Sequence, residues 1–273
     1  MLNKKITGLI FSTIVLLICS CNNSYDDKDP GKQSISTEQQ LKNSIKQFPD
    51  SLLLIESLIE YYRNNGNYDS AISVTDNALQ KDLENVELWD IKGTLHYENG
   101  DTLQSINAFE TAIDIYPLPE YIISLGTLYA QTKNPKALVL ADALLIADRS
   151  KAKKEALFIK GLYNIYTSNP KKAIIFFDSC ISVDYTYMFA YREKAIALYD
   201  LEKYEDALKV LTRAITIQNN FDEGYYWMGR CYEKLDRKQE AIESYQRALL
   251  YDKNFIEANE ALVKLGVKEV NSH

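Results

Sequence analysis

Residues 225–254, YYWMGRCYEKLDRKQEAIESYQRALLYDKN, can be laid over residues 191–220, YREKAIALYDLEKYEDALKVLTRAITIQNN, with an offset of 34. Ala241 then falls on Ala207, Ala248 on Ala214 and Tyr225 on Tyr191. The small residue of this register recurs toward the N-terminus at Ala207, Ala173, Ala137, Ser105 and Ala71, in steps of 34, 36, 32 and 34. A period of this length constrains the fold more than any other property of the chain. Each period is one supersecondary unit that cannot bury its apolar face alone, so neighbouring units must stack.

The composition of each period specifies the unit. Apolar residues recur at spacings of three and four, as in Ala241, Ile242, Tyr245, Ala248 and Leu249, which makes one apolar helix face. Small residues at Gly93, Gly126, Gly161 and Gly229 let two helices approach to about 8–10 Å. Turn signals separate the helices of a unit: NNGNY around Gly66, ENGD around Gly100, KNP before Pro135 and SNP before Pro170. Both prolines suit the first turn of a second helix, where no amide hydrogen is needed.

The aromatic, two spacers and a Leu-Gly-like pair that open each unit resemble the tetratricopeptide repeat. They are Trp89 with Lys92-Gly93, Tyr121 with Leu125-Gly126 at one residue longer, Tyr191 with Lys194-Ala195, and Tyr225 with Met228-Gly229. The second helix follows as Ala71 with Ala78, Ser105 with Phe109 and Ala112, Ala173 with Phe177 and Cys180, and Ala241 with Tyr245 and Ala248. Pro117 occupies the closing proline of the family pattern, whereas other units end on Asp82, Asp184 or Asp252. Lys92, Lys160 and Lys194 replace the usual leucine; a lysine stem packs while its ammonium reaches water. The resemblance implies an all-α superhelix, an α-solenoid of six repeats over residues 52–255. A capping helix is expected at 37–51, and a C-terminal capping helix and tail at 256–273.

At the N-terminus Lys4 and Lys5 precede a mostly apolar run from Ile6 to Ile18, and small Ser20 comes before Cys21. A positive start, a short apolar core and a small residue at the cut describe a secretory signal peptide over residues 1–20. The run is too short to span a bilayer, which takes about 20 apolar residues. Ile18-Cys19-Ser20-Cys21 resembles a bacterial lipobox, which implies that Cys19 is discarded and Cys21 becomes the lipid-bearing N-terminus. An ordinary secretion signal, exported without an anchor, is the other reading. Residues 21–36 are polar, contain Pro30 and Gly31, and read as a flexible acidic tether. Asp26–Asp29 resembles the acidic segment that sends some Bacteroidota lipoproteins to the cell surface; a solvated linker is the simpler reading.

The net charge of -7 argues against nucleic acid as a partner. The chain has two histidines, His96 and His273, and, besides Cys19 and Cys21, two cysteines, Cys180 and Cys231. Glycine-rich phosphate loops, metal-ligand clusters and nucleophile elbows are missing, so no enzyme, metal or cofactor is expected. His96 reads as a packing residue, and Cys180 and Cys231 as buried free thiols.

Function then falls to the first helices, which in tetratricopeptide proteins line a concave groove for peptide segments or partner helices. With the Gly93-type residue as reference, the inward positions of the early units are Glu56, Glu60, Glu87, Asp90, Glu98 and Glu120. The later units place Phe158, Tyr166, Phe189, Arg192, Tyr199, Tyr226, Trp227 and Arg230 there. Aromatics beside arginine make binding hot spots, and carboxylates favour a partner with a basic segment. Chaperone-docking members hold a terminal carboxylate with a lysine, asparagine and arginine clamp, but the matching positions here hold glutamates and aromatics. The reading is a lipid-anchored scaffold or adaptor of the bacterial cell envelope, at the outer membrane, that binds a protein or peptide. A glycan-binding surface lipoprotein and a scaffold regulating a cell-wall hydrolase are the alternatives.

Overall fold

The computed structural model describes residues 35–147 and 152–267. The expected signal peptide, Cys21 and the tether as far as residue 34 lie outside the described residues. Among the described residues there are fourteen α-helices and no strand: α1 Thr37–Gln47, α2 Leu52–Asn64, α3 Tyr68–Leu79, α4 Val86–Glu98, α5 Thr102–Ile115, α6 Pro119–Gln131 and α7 Lys136–Ala147. They continue with α8 Lys153–Tyr166, α9 Pro170–Val183, α10 Met188–Asp200, α11 Tyr204–Ile217, α12 Asp222–Lys234, α13 Lys238–Tyr251 and α14 Ile256–Lys264. The expected array of six repeats corresponds to α2–α13, flanked by α1 and α14. The chain divides into two compact units at Ser124/Leu125, within α6. In the first unit α1, α2, α3, α4 and α5 pack in succession, and in the second α7 to α14 do the same. Within the second unit α10 also touches α8 and α12, so first helices meet first helices.

Small residues set these contacts. Ala71, Ser105, Ala137, Ala173, Ala207 and Ala241, the register read from the sequence, are all fully buried. At Gly93 and Gly229 an added Cβ would lie within 2.8 Å of Phe109 and 2.6 Å of Tyr245 respectively, and at Gly161 it would collide with Phe177. Each of these three glycines faces the aromatic sixteen residues later on its own second helix. Ala207→Leu or Ala241→Leu should therefore overpack a crossing and cost about 1–3 kcal/mol, read as a lower urea midpoint at unchanged slope.

The turns repeat as strictly as the helices. One residue in each turn between paired helices is left-handed: Gly66 (φ +68°) and Gly100 (φ +84°), then Lys133, Ser168, Glu202 and Asp236 at φ 57–61° or 63°. Glycine occupies the position without strain in the first two turns only. Pro170 stands in the first turn of α9 as expected, whereas Pro135 lies one residue ahead of α7. In three of the units that lack a closing proline an aspartate takes its place, whereas Gln218 stands there after α11. Asp82, Asp184 and Asp252 each accept the amide two residues on, at 3.1, 2.9 and 2.9 Å, in the same side-chain turn.

The lysines that replace the consensus leucine require a correction. Their ammonium groups do not simply reach water. Lys92 binds Asp76 at 2.7 Å, Lys160 binds Asp142 at 2.6 Å and Lys194 binds Asp178 at 2.5 Å, each on the preceding second helix. A side chain that belongs to the packed layer in the family pattern here ties one repeat to the one before it.

Candidate partner-binding surfaces

In the second unit, the seam between α10 and α12 gathers four of the residues expected in the groove. The Arg230 guanidinium lies 5.4 Å from the Tyr199 ring, 5.8 Å from Tyr226 and 5.4 Å from Trp227. It donates to the Tyr226 hydroxyl at 3.0 Å and to the Tyr199 hydroxyl at 3.4 Å. Tyr199 and Tyr226 each meet Trp227 edge-on, at 5.6 and 5.7 Å, and Tyr226 packs on Phe255 at 5.0 Å. All four side chains are half-buried. Among the described residues no carboxylate neutralises Arg230, so the seam presents a rigid aromatic surface with a cation fixed in it.

Phe158 and Arg192 do not join this surface, which corrects two expectations. Phe158 is buried against Phe177, Tyr187 and Phe189 at 5.8, 5.4 and 6.4 Å. Arg192 is 4% exposed, donates Nε to Glu193 at 2.9 Å and Nη1 to both oxygens of Glu223 at 2.7 Å. Burial works against its charge, and the two carboxylates more than offset that, so it stays protonated. Arg192 is a structural cross-link between α10 and α12. Tyr166 and Phe189 are half-buried.

In the first unit the expected acidic positions separate into two groups. Arg63 binds Glu98 through Nε at 2.7 Å and Glu60 through Nη1 at 3.3 Å, so that pair shares one cation. Glu56, Glu87, Asp90 and Glu120 have no cation partner among the described residues. Burial, then the Glu120 and Glu87 carboxylates, push Asp90 up to about 6. Burial and Glu87 raise Glu56, and burial followed by Asp90 pushes Tyr121 up to about 12. These four carboxylates of α2, α4 and the start of α6 thus form one mutually repelling group in the first unit.

The remaining candidates behave as fillers. Cys180 and Cys231 are buried free thiols, both pushed up to about 12 chiefly by burial, so neither is a nucleophile at neutral pH. His96 is lowered chiefly by burial, and its Nδ1 lies 3.9 Å from Asp101. Among the described residues no group of three or more His, Cys, Asp or Glu is placed to hold a metal ion.

Residues 57–118 and 222–255 match the tetratricopeptide-repeat family, and residues 196–236 match the related TPR-repeat family. The chain carries tetratricopeptide repeats. The tetratricopeptide repeat protein from Parabacteroides merdae is similar over 84% of this chain and 90% of its own, with a TM-score of 0.70 at 21% identity. PilW, a widely conserved type IV pilus biogenesis factor, matches 77% of this chain and 97% of its own, with a TM-score of 0.59 at 15% identity. At these identities the likeness is one of fold. Among curated proteins, the DnaJ homolog subfamily C member 7 homolog of Schizosaccharomyces pombe is 23% identical over 211 residues, 77% of this chain. Its Dictyostelium discoideum counterpart is 24% identical over 241 residues, 82% of this chain. The chain spans 40% and 43% of the length of these two relatives. Tetratricopeptide repeats are typical of protein–protein interaction scaffolds, and the first-helix surfaces described above are where such a scaffold has chemistry to offer.

Sequence reasoning missed one feature of the second unit, a cavity of about 340 Å³ beside Phe189, lined by Tyr187, Met188, Phe221, Asp222 and Glu223 among others. Asp222 and Glu223 stand in the first turn of α12, where an acid ordinarily signals only a favourable helix N-terminus. The bulky Phe221 just ahead of them was the available signal.

Proposed function

We propose that this chain is a lipid-anchored scaffold of the bacterial cell envelope that binds a protein partner on its first helices. The observation that carries the binding half is the Arg230 seam: three half-buried rings around a cation that no carboxylate among the described residues pairs. Surface arginine and aromatic side chains in a pre-ordered cluster are the composition of interface hot spots. The group formed by Glu56, Glu87, Asp90 and Glu120, without a cation partner among the described residues, favours a partner with a basic segment, which it would also attract at a distance. A chain of the APC/C hetero-tetramer Cut9-Hcn1 is similar in fold, with a TM-score of 0.55 at 16% identity over 46% of its length, and an array engaged by another protein is the arrangement proposed here.

The test is capture of partners by the full chain from detergent-solubilised envelopes, with the variant Trp227→Ala/Arg230→Ala as comparison. A stoichiometric partner should be retained by the natural chain and lose at least tenfold in affinity with the variant at unchanged Tm. Equal retention by both sinks the assignment of the seam.

The anchoring half rests on Ile18-Cys19-Ser20-Cys21 behind a basic, apolar leader. Two acyl chains on Cys21 would hold the protein at the membrane, since each buried methylene contributes about 0.8 kcal/mol and one chain alone holds only marginally. Cys21→Ser should shift the protein from the membrane fraction to the soluble fraction. Persistence at the membrane would remove the anchor from the proposal.

A further inference from the structure

The cavity between the N-terminal ends of α10 and α12 carries a charge imbalance that its own residues do not resolve. Its walls are aromatic and apolar: Tyr187, Met188, Phe189 and Phe221, with Tyr187 and Phe189 edge-on at 5.6 Å. Asp222 and Glu223 line the same space. Glu223 is bound to Arg192, and Arg192 also binds Glu193, so one buried guanidinium serves two carboxylates. Asp222 has no cation partner among the described residues. Lys154 lies 5.3 Å from the Tyr187 ring but is neutralised by Asp184 at 2.7 Å.

The sign of the imbalance follows from a count. Three carboxylates, Glu193, Asp222 and Glu223, face one guanidinium and the N-termini of α10 and α12. Each helix N-terminus is worth roughly half a positive charge, so an excess of about one negative charge remains at the cavity. A carboxylate or phosphate would add to that excess, and a neutral apolar group would leave it unscreened. A planar cation suits both the charge and the walls, because guanidinium groups stack on aromatic faces and bind carboxylates through their fork. Glu223 has capacity left: a carboxylate offers about four lone-pair sites, and Arg192 uses two of them. The volume is at the lower end of small-ligand pockets, about 300–1,000 Å³, and suits one side chain.

We infer that this cavity receives an arginine side chain of the protein partner, clamped between Asp222 and Glu223 and stacked on the aromatic walls. The inference rests on the proposed partner-binding role and adds a second contact to it. Glu223 and Arg230 are seven residues apart on α12, two helical turns or ~10 Å. A partner engaging both would carry an arginine about that far from the group that meets the Arg230 seam.

The chain has three methionines, Met1, Met188 and Met228, of which Met188 lines the cavity and Met228 is buried in the hydrophobic core of the later repeats. Full-length protein labelled with carbon-13 at the methionine methyls therefore has a reporter and an internal control. Titration with N-acetyl-phenylalanyl-arginine amide should shift the Met188 signal saturably and leave Met228 in place. The citrulline and glutamate counterparts should produce no such shift at the same concentrations, and Asp222→Asn should weaken the arginine response at least threefold. Asp222→Asn is the variant of choice because replacing Glu223 would take from the buried Arg192 one of its two carboxylates. A silent Met188, an equal response to citrulline, or indifference to Asp222→Asn overturns the inference. None of those results touches the capture experiment at Trp227 and Arg230, so the two readings fail separately.

Discussion

Phe177→Ala is expected to destabilise the protein by about 3–5 kcal/mol, a large share of the 5–15 kcal/mol that holds a typical domain together. Phe177 is fully buried in α9, lies 5.8 Å from the Phe158 ring, and fills the notch that Gly161 leaves on α8. Truncation removes the ring from a contact that has no side chain opposite it, so the two helices have nothing to collapse onto and a cavity remains. Urea unfolding should show the loss. Gly161→Ala on its own should cost about 1–3 kcal/mol through overpacking. Combined with Phe177→Leu, it should cost less than the two single changes together, because the new methyl occupies space the ring has vacated. Strict additivity would mean that the two positions do not share the contact.

Asp90→Asn should act in the opposite direction at neutral pH. The carboxyl is pushed from its ordinary 3.8 up to about 6 in the folded chain, first by burial and then by Glu120 and Glu87. A raised carboxyl favours folding while it is protonated, so its contribution is intact below about pH 4 and is lost as pH rises through 6. At about 1.4 kcal/mol per unit, the cost of the ionised group at pH 7.5 is up to about 3 kcal/mol. The asparagine variant should recover that amount and flatten the fall in stability between pH 4 and 6.5; an unchanged slope would place the titration elsewhere. The same substitution should weaken a basic partner. Stability surrendered by an unpaired acid at a binding surface is a common exchange of fold for function.

How far the sequence could be read depended on whether a residue's role was periodic. The buried register of Ala71, Ser105, Ala137, Ala173, Ala207 and Ala241 was legible because every unit repeats it. The Arg230 seam was legible because Tyr226, Trp227 and Arg230 share one face of one helix and Tyr199 lies on the first helix of the preceding unit, 31 residues before Arg230. The acidic group was only half legible: Arg63 and Glu98 are 35 residues apart, and nothing local in the chain announces that they pair. Arg192 was misplaced for a similar reason, since its burial depends on Glu223, 31 residues away on another helix. Phe158 holds a groove-facing position by count, but Tyr187 and Phe189 of the following unit close over it. Periodicity fixes which way a side chain leaves its helix; it does not say what the next repeat brings to cover it.

The tie between Lys160 and Asp142 and the tie between Lys194 and Asp178 stand one period apart in the same unit. Each lysine closes the junction toward the preceding repeat, while the residue after it, Gly161 or Ala195, faces the following helix. A chain passing directly from Lys160 to Ala195 would thus keep a native junction on both sides: Asp142 behind and α11 ahead. The 34 residues between them form a cassette with matching ends, and gain or loss of such a cassette changes the reach of the array without creating a foreign joint. Length in a protein built this way is quantised, and the ion pairs mark where one quantum stops and the next begins.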